Sequence, residues 1–230
     1  MNDQRDDVSV VLGAGGGIGR ALASELRSRG ERVIALSRTS DIVFDVSSPS
    51  SIRTALDRVC EQGVPRRIIL STGFLHDDRF APERSLREMD ADHMAHAFQI
   101  NTIGPALVLR SVLELMPRSG AFGIAALSAR VGSISDNRLG GWLSYRASKA
   151  ALNQVVRTAS IEMKRRNRDS VCVALHPGTV DTALSQPFSK RGLDVRPPAL
   201  AAREIVDVMD GLTPSDTGGF FDHQAQPIAY

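Results

Sequence analysis

Short runs of β-branched and aliphatic residues alternate along this chain with longer stretches whose apolar positions recur every three or four residues. Val8 to Leu12, Val33 to Leu36, Ile68 to Leu70, Phe122 to Leu127 and Val171 to Leu175 are continuous apolar runs, the pattern of strands buried on both faces. Behind the first run, Ile18, Ala21, Leu22 and Leu26 share one helical face, and Gly30 is placed to stop it. Pro49 behind Ser48 opens a second helix carrying Ile52, Ala55, Leu56, Val59 and Cys60, which ends near Gly63. Two longer helices are predicted over roughly 91–116 and 142–166. Buried strands alternating with helices predict an α/β fold: a doubly wound parallel sheet of six to seven strands with helices on both faces. No repeat, low-complexity tract or linker divides the chain, so one domain is expected over 1–230.

One segment resists the alternation. Only Arg38 to Asp41 separate the second run from "IVFDV" at 42–46, whereas a parallel crossover needs about a dozen residues. Either a short third strand is reached by an unusual loop, or this segment does not pair as a regular parallel strand. The stretch from Pro177 to Pro198 is the longest irregular segment and is a candidate lid.

Composition narrows the class without naming a chemistry. Twenty-eight basic against 26 acidic residues leave a net charge of +2, which offers no case for a nucleic-acid or anionic-membrane partner. The basic cluster Lys164, Arg165, Arg166 and Arg168 reads as the last turn of a helix complementing its dipole. Two isolated cysteines, Cys60 and Cys172, suit a reducing compartment. The charged N-terminus has no apolar signal core, and no apolar run approaches the ~20 residues of a membrane span, so a cytoplasmic protein is expected.

The first candidate chemistry is "GAGGGIGR" at 13–20, between a strand and a helix. Gly13, Gly17 and Gly19, with Gly15, Gly16 and Ile18, form a loop whose small residues admit close backbone approach. The helix N-terminus behind them offers free N–H groups to a pyrophosphate. In a dinucleotide fold, an acid at the end of the second strand binds the ribose 2′-hydroxyl, and an arginine accommodates a 2′-phosphate. Here Ser37 and Arg38 occupy that place, which favours NADP(H) over NAD(H).

The second is "GGWLSYRASKAALN" at 140–153. Tyr145 and Lys149 stand one turn apart on a helix face, either as a core-capping phenol beside a snorkelling amine or as a chemical pair. A glycine loop with a Tyr–Lys pair far downstream resembles the short-chain dehydrogenase/reductase family, in its compact C-factor-like branch, over nearly the whole chain. "QINTIGP" is similar to the family segment bearing an active-site asparagine, here Asn101. "HPGTVDT" is similar to the segment beside the nicotinamide, with Pro177, Gly178, Thr179, Val180 and Thr182 in the matching places. "GGFFDHQAQPIAY" resembles the family's short last strand and C-terminal turn.

The resemblance implies a Rossmann-type fold and an NADP(H)-dependent oxidoreductase acting on a small-molecule carbonyl or secondary alcohol. It implies that Tyr145 exchanges the proton, that Lys149 lowers the phenol's pKa and binds the nicotinamide ribose, and that Asn101 holds Lys149 through a water. It further implies Asp45 and Val46 at the adenine, Ser71, Thr72 and Gly73 beside the cofactor, and a homodimer or homotetramer. The family's catalytic serine falls on Ala129, leaving Ser128 as the candidate and Ser133 as the other. A one-residue shift at a strand end turns a side chain to the opposite face, so Ser128 needs a local twist. His76 and His176 read as rim or structural residues, and Trp142 as an active-site wall or a subunit contact. The methionines Met89, Met94, Met116 and Met163 read as core or interface fillers. Loops near 75–90, 130–144 and 181–197, with Phe80, Leu139, Leu184 and Phe188, are expected to set the substrate. The competing reading is an NADP(H)-binding protein of low turnover that senses cofactor occupancy.

Overall fold

A computed structural model describes residues 6–186 and 195–230. Its main sheet has six strands in the order β2-β1-β3-β4-β5-β8, and every neighbouring pair is parallel. The strands are β1 (Asp7–Leu12), β2 (Val33–Leu36), β3 (Val64–Leu70), β4 (Phe122–Leu127), β5 (Ser170–His176) and β8 (Phe220–Asp222). Two two-residue strands, β6 (Thr179–Val180) and β7 (Val195–Arg196), pair with each other. They tie together the two ends of the expected lid. The lid's middle, 187–194 with Phe188, lies outside the described residues.

The apolar runs are continuous because both faces of the sheet are covered. Val10, Leu12, Ile68, Leu70, Ile124 and Ala126 pack against α2 (Pro49–Gln62), α4 (Gly104–Leu115) and α5 (Leu143–Arg166). Val11, Ile69, Ala125, Leu127 and Leu175 alternate with them toward α1 (Gly17–Ser28) and α6 (Pro198–Gly211). Local signals end the helices where expected. Gly30, at φ +82°, donates its N–H to Arg27 O behind α1, and the Ser48 side chain accepts from Ser51 N to open α2.

One open alternative is decided, and one expectation needs correction. "IVFDV" is not a strand. It makes one isolated parallel bridge, Ser37 to Val43, while Phe44 and Val46 are buried against the core. Arg38 to Asp41 are too few to carry the chain over the sheet and back, so the segment runs on past the end of β2. The single helix over 91–116 is instead α3 (Ala91–Phe98), a π turn (Gln99–Ile103) and α4. The π turn adds a residue to the helical circuit and turns Asn101 fully inward, at 0% exposure.

Because β1 is flanked by β2 on one side and β3 on the other, the connections leaving them run in opposite directions. Their carboxyl ends open a crevice, and the glycine loop lies in it. Among the described residues no helix is long and apolar enough to cross a membrane.

Candidate active site

The loop between β1 and α1 is closed by its own backbone. Gly13 N and Ala14 N both donate to Leu36 O at 2.9 Å, Gly16 N donates to Gly13 O at 3.2 Å, and Arg20 Nη2 donates to Gly15 O at 3.1 Å. Helix α1 starts with no side-chain cap and no acid in its first turn, so its positive pole is open. The glycines are needed for space. A Cβ on Gly19 would enter the envelope of Gly13 O and fall 2.6 Å from Ser71 Oγ; one on Gly17 would fall 2.7 Å from Thr182 Cγ2. A Cβ on Gly15 would lie 3.3 Å from Ser37 Cβ. The loop, Ser37, Ser71 and Thr182 therefore meet around one cradle, which brings the "HPGTVDT" segment onto the glycine loop.

Arg38 is exposed and forms no ion pair among the described residues. Asp45 accepts from Ser47 Oγ (2.7 Å) and Ser47 N (2.9 Å), and these bonds, aided by the field of Arg38, hold its carboxyl below the usual range. Val46 is buried, with its carbonyl against Gly104. Ser71 Oγ donates to Leu12 O, pinning β3 to β1 above the loop, and the neighbouring Thr72 Oγ1 is buried with no hydrogen-bond partner among the described residues. Gly73 opens a gap: a Cβ there would lie 3.8 Å from both Asn101 Oδ1 and Lys149 Nζ. A glycine-lined cradle, an open helix pole and, among the described residues, an orphaned hydroxyl and an arginine without an ion pair fit a dinucleotide.

Tyr145 and Lys149 lie on the first turns of α5, at 9% and 3% exposure. Lys149 Nζ donates to Leu127 O (2.9 Å) and stands 5.9 Å from the centre of the Tyr145 ring. Burial lowers the ammonium to about 8 and raises the phenol above its usual range. This reverses the expected direction for Tyr145. With both groups out of water, desolvation of the phenolate outweighs the attraction of an ammonium directed at a carbonyl. Asn101 makes three direct bonds. Its Oδ1 accepts from Phe74 N (2.8 Å), and its Nδ2 donates to Phe74 O (2.8 Å) and Ser148 Oγ (3.0 Å).

Tyr145 faces a cavity of about 460 Å³ whose walls include Ile18, Leu75, Leu139, Trp142, Leu184 and the stretch Pro177 to Val180. Trp142 is thus a wall of this cavity, its ring edge-on to Tyr145 with centroids 6.2 Å apart. Ser128 and Ala129 also line it, but Ser128 Oγ donates to Asn153 Oδ1 (2.6 Å), so its proton is directed at α5. Ser133 does not line the cavity. Its hydroxyl donates to Ala229 O and accepts from Asp136 N, fastening the loop after β4 to the C-terminal segment. His76 sits at the rim with Nε2 3.2 Å from Ala183 O. His176 lines the cavity, and burial, aided by Arg130 and His223, pushes its ring down to about 4, so it is neutral at pH 7. A larger cleft of about 780 Å³ at the opposite end of the sheet is lined by residues such as Asp7, Arg66, Arg67 and Asp210 and touches none of these groups.

Sequence reasoning did not single out Glu83, Ser144, Ser148 or Asn153, all buried at the contacts of α5. Ser144 and Ser148 carry a local signal, being the small residues before and three after Tyr145. Glu83 has none, because the helix residue it caps lies about sixty positions away.

A family model described as enoyl-(acyl carrier protein) reductase matches residues 13–196. The 1-hydroxy-2-glutathionyl-2-methyl-3-butene dehydrogenase of Rhodococcus sp. (strain AD45) is 33% identical over 227 residues, covering 93% of this chain and 95% of its own. The C-signal protein of Myxococcus xanthus is 36% identical over 146 residues, 64% of this chain and 84% of that protein. Among solved structures, the NADPH-bound carbonyl reductase from chicken fatty liver matches with a TM-score of 0.85 over 98% of this chain and 100% of its own. At 24% identity that likeness speaks for the fold.

Proposed function

This chain belongs to the short-chain dehydrogenase/reductase family and is an oxidoreductase of that type, and from that premise we propose that it is an NADP(H)-dependent carbonyl reductase. One domain over 1–230 would carry both cofactor and substrate sites. One observation carries the reading: Tyr145, with Lys149 Nζ 5.9 Å from its ring, faces a cavity that is also lined by the segment packed onto the glycine loop. The pyrophosphate would lie on Gly13 to Gly19, the adenosine 2′-phosphate on Ser37 and Arg38, and the adenine near Asp45 and Val46. The nicotinamide end would lie between Ser71 to Gly73 and Pro177 to Thr182. Two names among the relatives, a dehydrogenase and an NADPH-bound carbonyl reductase, support this chemistry.

When bound, the reduced nicotinamide supplies the hydride that adds to the carbonyl carbon. The displaced C=O electron pair takes the Tyr145 proton. A phenol kept protonated by burial suits that donor role. The Lys149 ammonium offsets the charge left on the tyrosinate, and a proton from solvent restores the phenol. Asn101 fixes the helix turn beneath the pair through Ser148. Ser128, which lines the cavity, would approach the substrate oxygen once it turns from Asn153. That committed proton, with Ala129 beside it, favours the second reading, a cofactor-sensing protein of low turnover. A dimer is proposed across the groove lined by Leu109, Leu113, Val155 and Ala159 on α4 and α5, which light scattering would test.

The test is NADPH oxidation against aldehydes, ketones and diketones, with NADH alongside. Turnover is expected with NADPH, and Arg38→Ala is expected to raise the NADPH dissociation constant while leaving that for NADH unchanged. Tight NADPH binding with no turnover on any carbonyl supports the sensing reading instead.

Lys149 adds a pH dependence. In the free protein its ammonium titrates near 8. An anionic dinucleotide prefers the charged form, so affinity is full below pH 8 and falls as pH rises above it, by up to about tenfold per unit. The NADPH dissociation constant measured from pH 6.5 to 9.5 (a range on either side of that value, about 8) should rise with an onset there. Lys149→Met should abolish the inflection; an inflection that survives assigns it to another group.

A further inference from the structure

Helix α5 begins on an unusual turn. Gly140 (φ +63°), Gly141 (φ +66°) and Trp142 (φ +53°) are three left-handed residues in succession, and the third carries a large side chain. Trp142 provides no side-chain cap. A left-handed tryptophan persists only where its surroundings hold it.

Glu83 does the holding. It lies in the loop before α3 and is 1% exposed. Its backbone carbonyl accepts from Trp142 N. Its two carboxylate oxygens accept from Ser144 N at 3.3 and 3.2 Å, and one accepts from Ser144 Oγ as well. Arg146 braces the same turn from the other side, its Nε donating to Gly140 O and Gly141 O. A helix that needs only a cap obtains one from an exposed serine or aspartate next to it, without burying a carboxylate. Here the cap comes from a distant loop and ties that loop to the helix bearing the proton donor.

The contacts close into a ring. Glu83 Oε1 is 3.3 Å from His93 Nδ1 on α3. The His93 ring packs edge-on to Phe74 at 6.0 Å, and the Phe74 backbone is gripped on both sides by Asn101. Asn101 Nδ2 then reaches Ser148 Oγ. Tyr145 sits between Ser144, held by Glu83, and Ser148, held by Asn101.

We propose that Glu83 is a positioning residue: its buried carboxylate is the remote N-cap of the catalytic helix and sets both Tyr145 and the Trp142 wall. The proposal rests on the reading of Tyr145 as proton donor. Glutamine at this position has one acceptor oxygen, and its amide would face a donor, so the double acceptance from Ser144 is lost.

The experiment compares Glu83→Gln and Ser144→Ala with the parent chain, using benzil and nitrobenzaldehyde as carbonyl probes. Three quantities are read: kcat, the NADPH dissociation constant and the fluorescence of Trp142, the single tryptophan. Displacing a reacting group by an ångström costs up to about a hundredfold, so kcat in Glu83→Gln is expected to fall about ten- to a hundredfold. NADPH affinity should be unchanged, and Trp142 emission should shift to the red as the ring leaves its wall. Ser144→Ala, which keeps the carboxylate, should move both readouts in the same direction by less, and it carries the test if Glu83→Gln does not fold. Unchanged kcat and emission overturn the proposal. So does a fall in kcat matched by an equal loss of NADPH affinity, since that marks general damage. Full turnover in Tyr145→Phe would overturn the proton-donor reading instead, while the emission of Trp142 would still report on Glu83.

Discussion

Tyr145→Phe is expected to lower NADPH-coupled carbonyl reduction by about 10²–10⁴, the range over which a positioned acid acts, while leaving NADPH affinity and folding intact. The substitution removes one oxygen and keeps the ring. Among the described residues the phenol has no protein hydrogen-bond partner, so its loss strands no buried donor or acceptor. The edge-on contact with Trp142 belongs to the ring and survives. Lys149 keeps its bond to Leu127 O, so the cofactor side of the site is undisturbed. The measurement is kcat/KM alongside a directly titrated NADPH dissociation constant. Retention of more than about a tenth of wild-type turnover with unchanged binding would remove Tyr145 from the mechanism, because general acid help is worth at least about a hundredfold.

Gly19→Ala is expected to abolish measurable NADPH binding and to lower stability. Gly19 has no positive φ, so the penalty is spatial. The new methyl would enter the envelope of Gly13 O and lie 2.9 Å from Gly13 C and 2.6 Å from Ser71 Oγ. Two of those atoms are backbone and cannot swing aside. Overpacking of this kind costs about 1–3 kcal/mol, and in a chain of this size each kcal/mol lowers the melting temperature by about 2–4 °C. Relief comes only from pushing the loop off α1, which opens the cradle a pyrophosphate would occupy. Gly211→Ala, at the end of α6 with open space around its α-carbon, is the control and should alter neither quantity. Normal NADPH affinity in Gly19→Ala would show that the cofactor does not lie on this loop.

Much of the frame and part of the site were legible in the sequence, and the division follows the range of the forces involved. The apolar runs named the main strands because a strand covered on both faces must be apolar at every position. Gly30 and Ser48 marked helix ends because caps are formed by residues within a turn of them. Gly13 to Gly19 and the Tyr145–Lys149 pair were visible because backbone approach and an i, i+4 spacing are local properties.

What tertiary structure alone decided was how these pieces meet. "IVFDV" has the composition of a strand, yet the chain before it is too short for a crossover, and Phe44 and Val46 are buried without a ladder. Asn101 faces the site because a π turn re-phases a helix whose apolar period reads as unbroken. Ser128 points at Asn153 and Ser133 at Ala229, choices set by which neighbours arrive from α5 and the C-terminal segment. The Tyr145 phenol rises rather than falls because burial, which no spacing records, outweighs a nearby ammonium. Glu83 caps α5 across some sixty residues. Periodicity and caps reach only a few positions along the chain, and they determined the elements. Desolvation and long-range hydrogen bonds depend on surfaces that meet only on folding, and they determined what each group in the site is able to do.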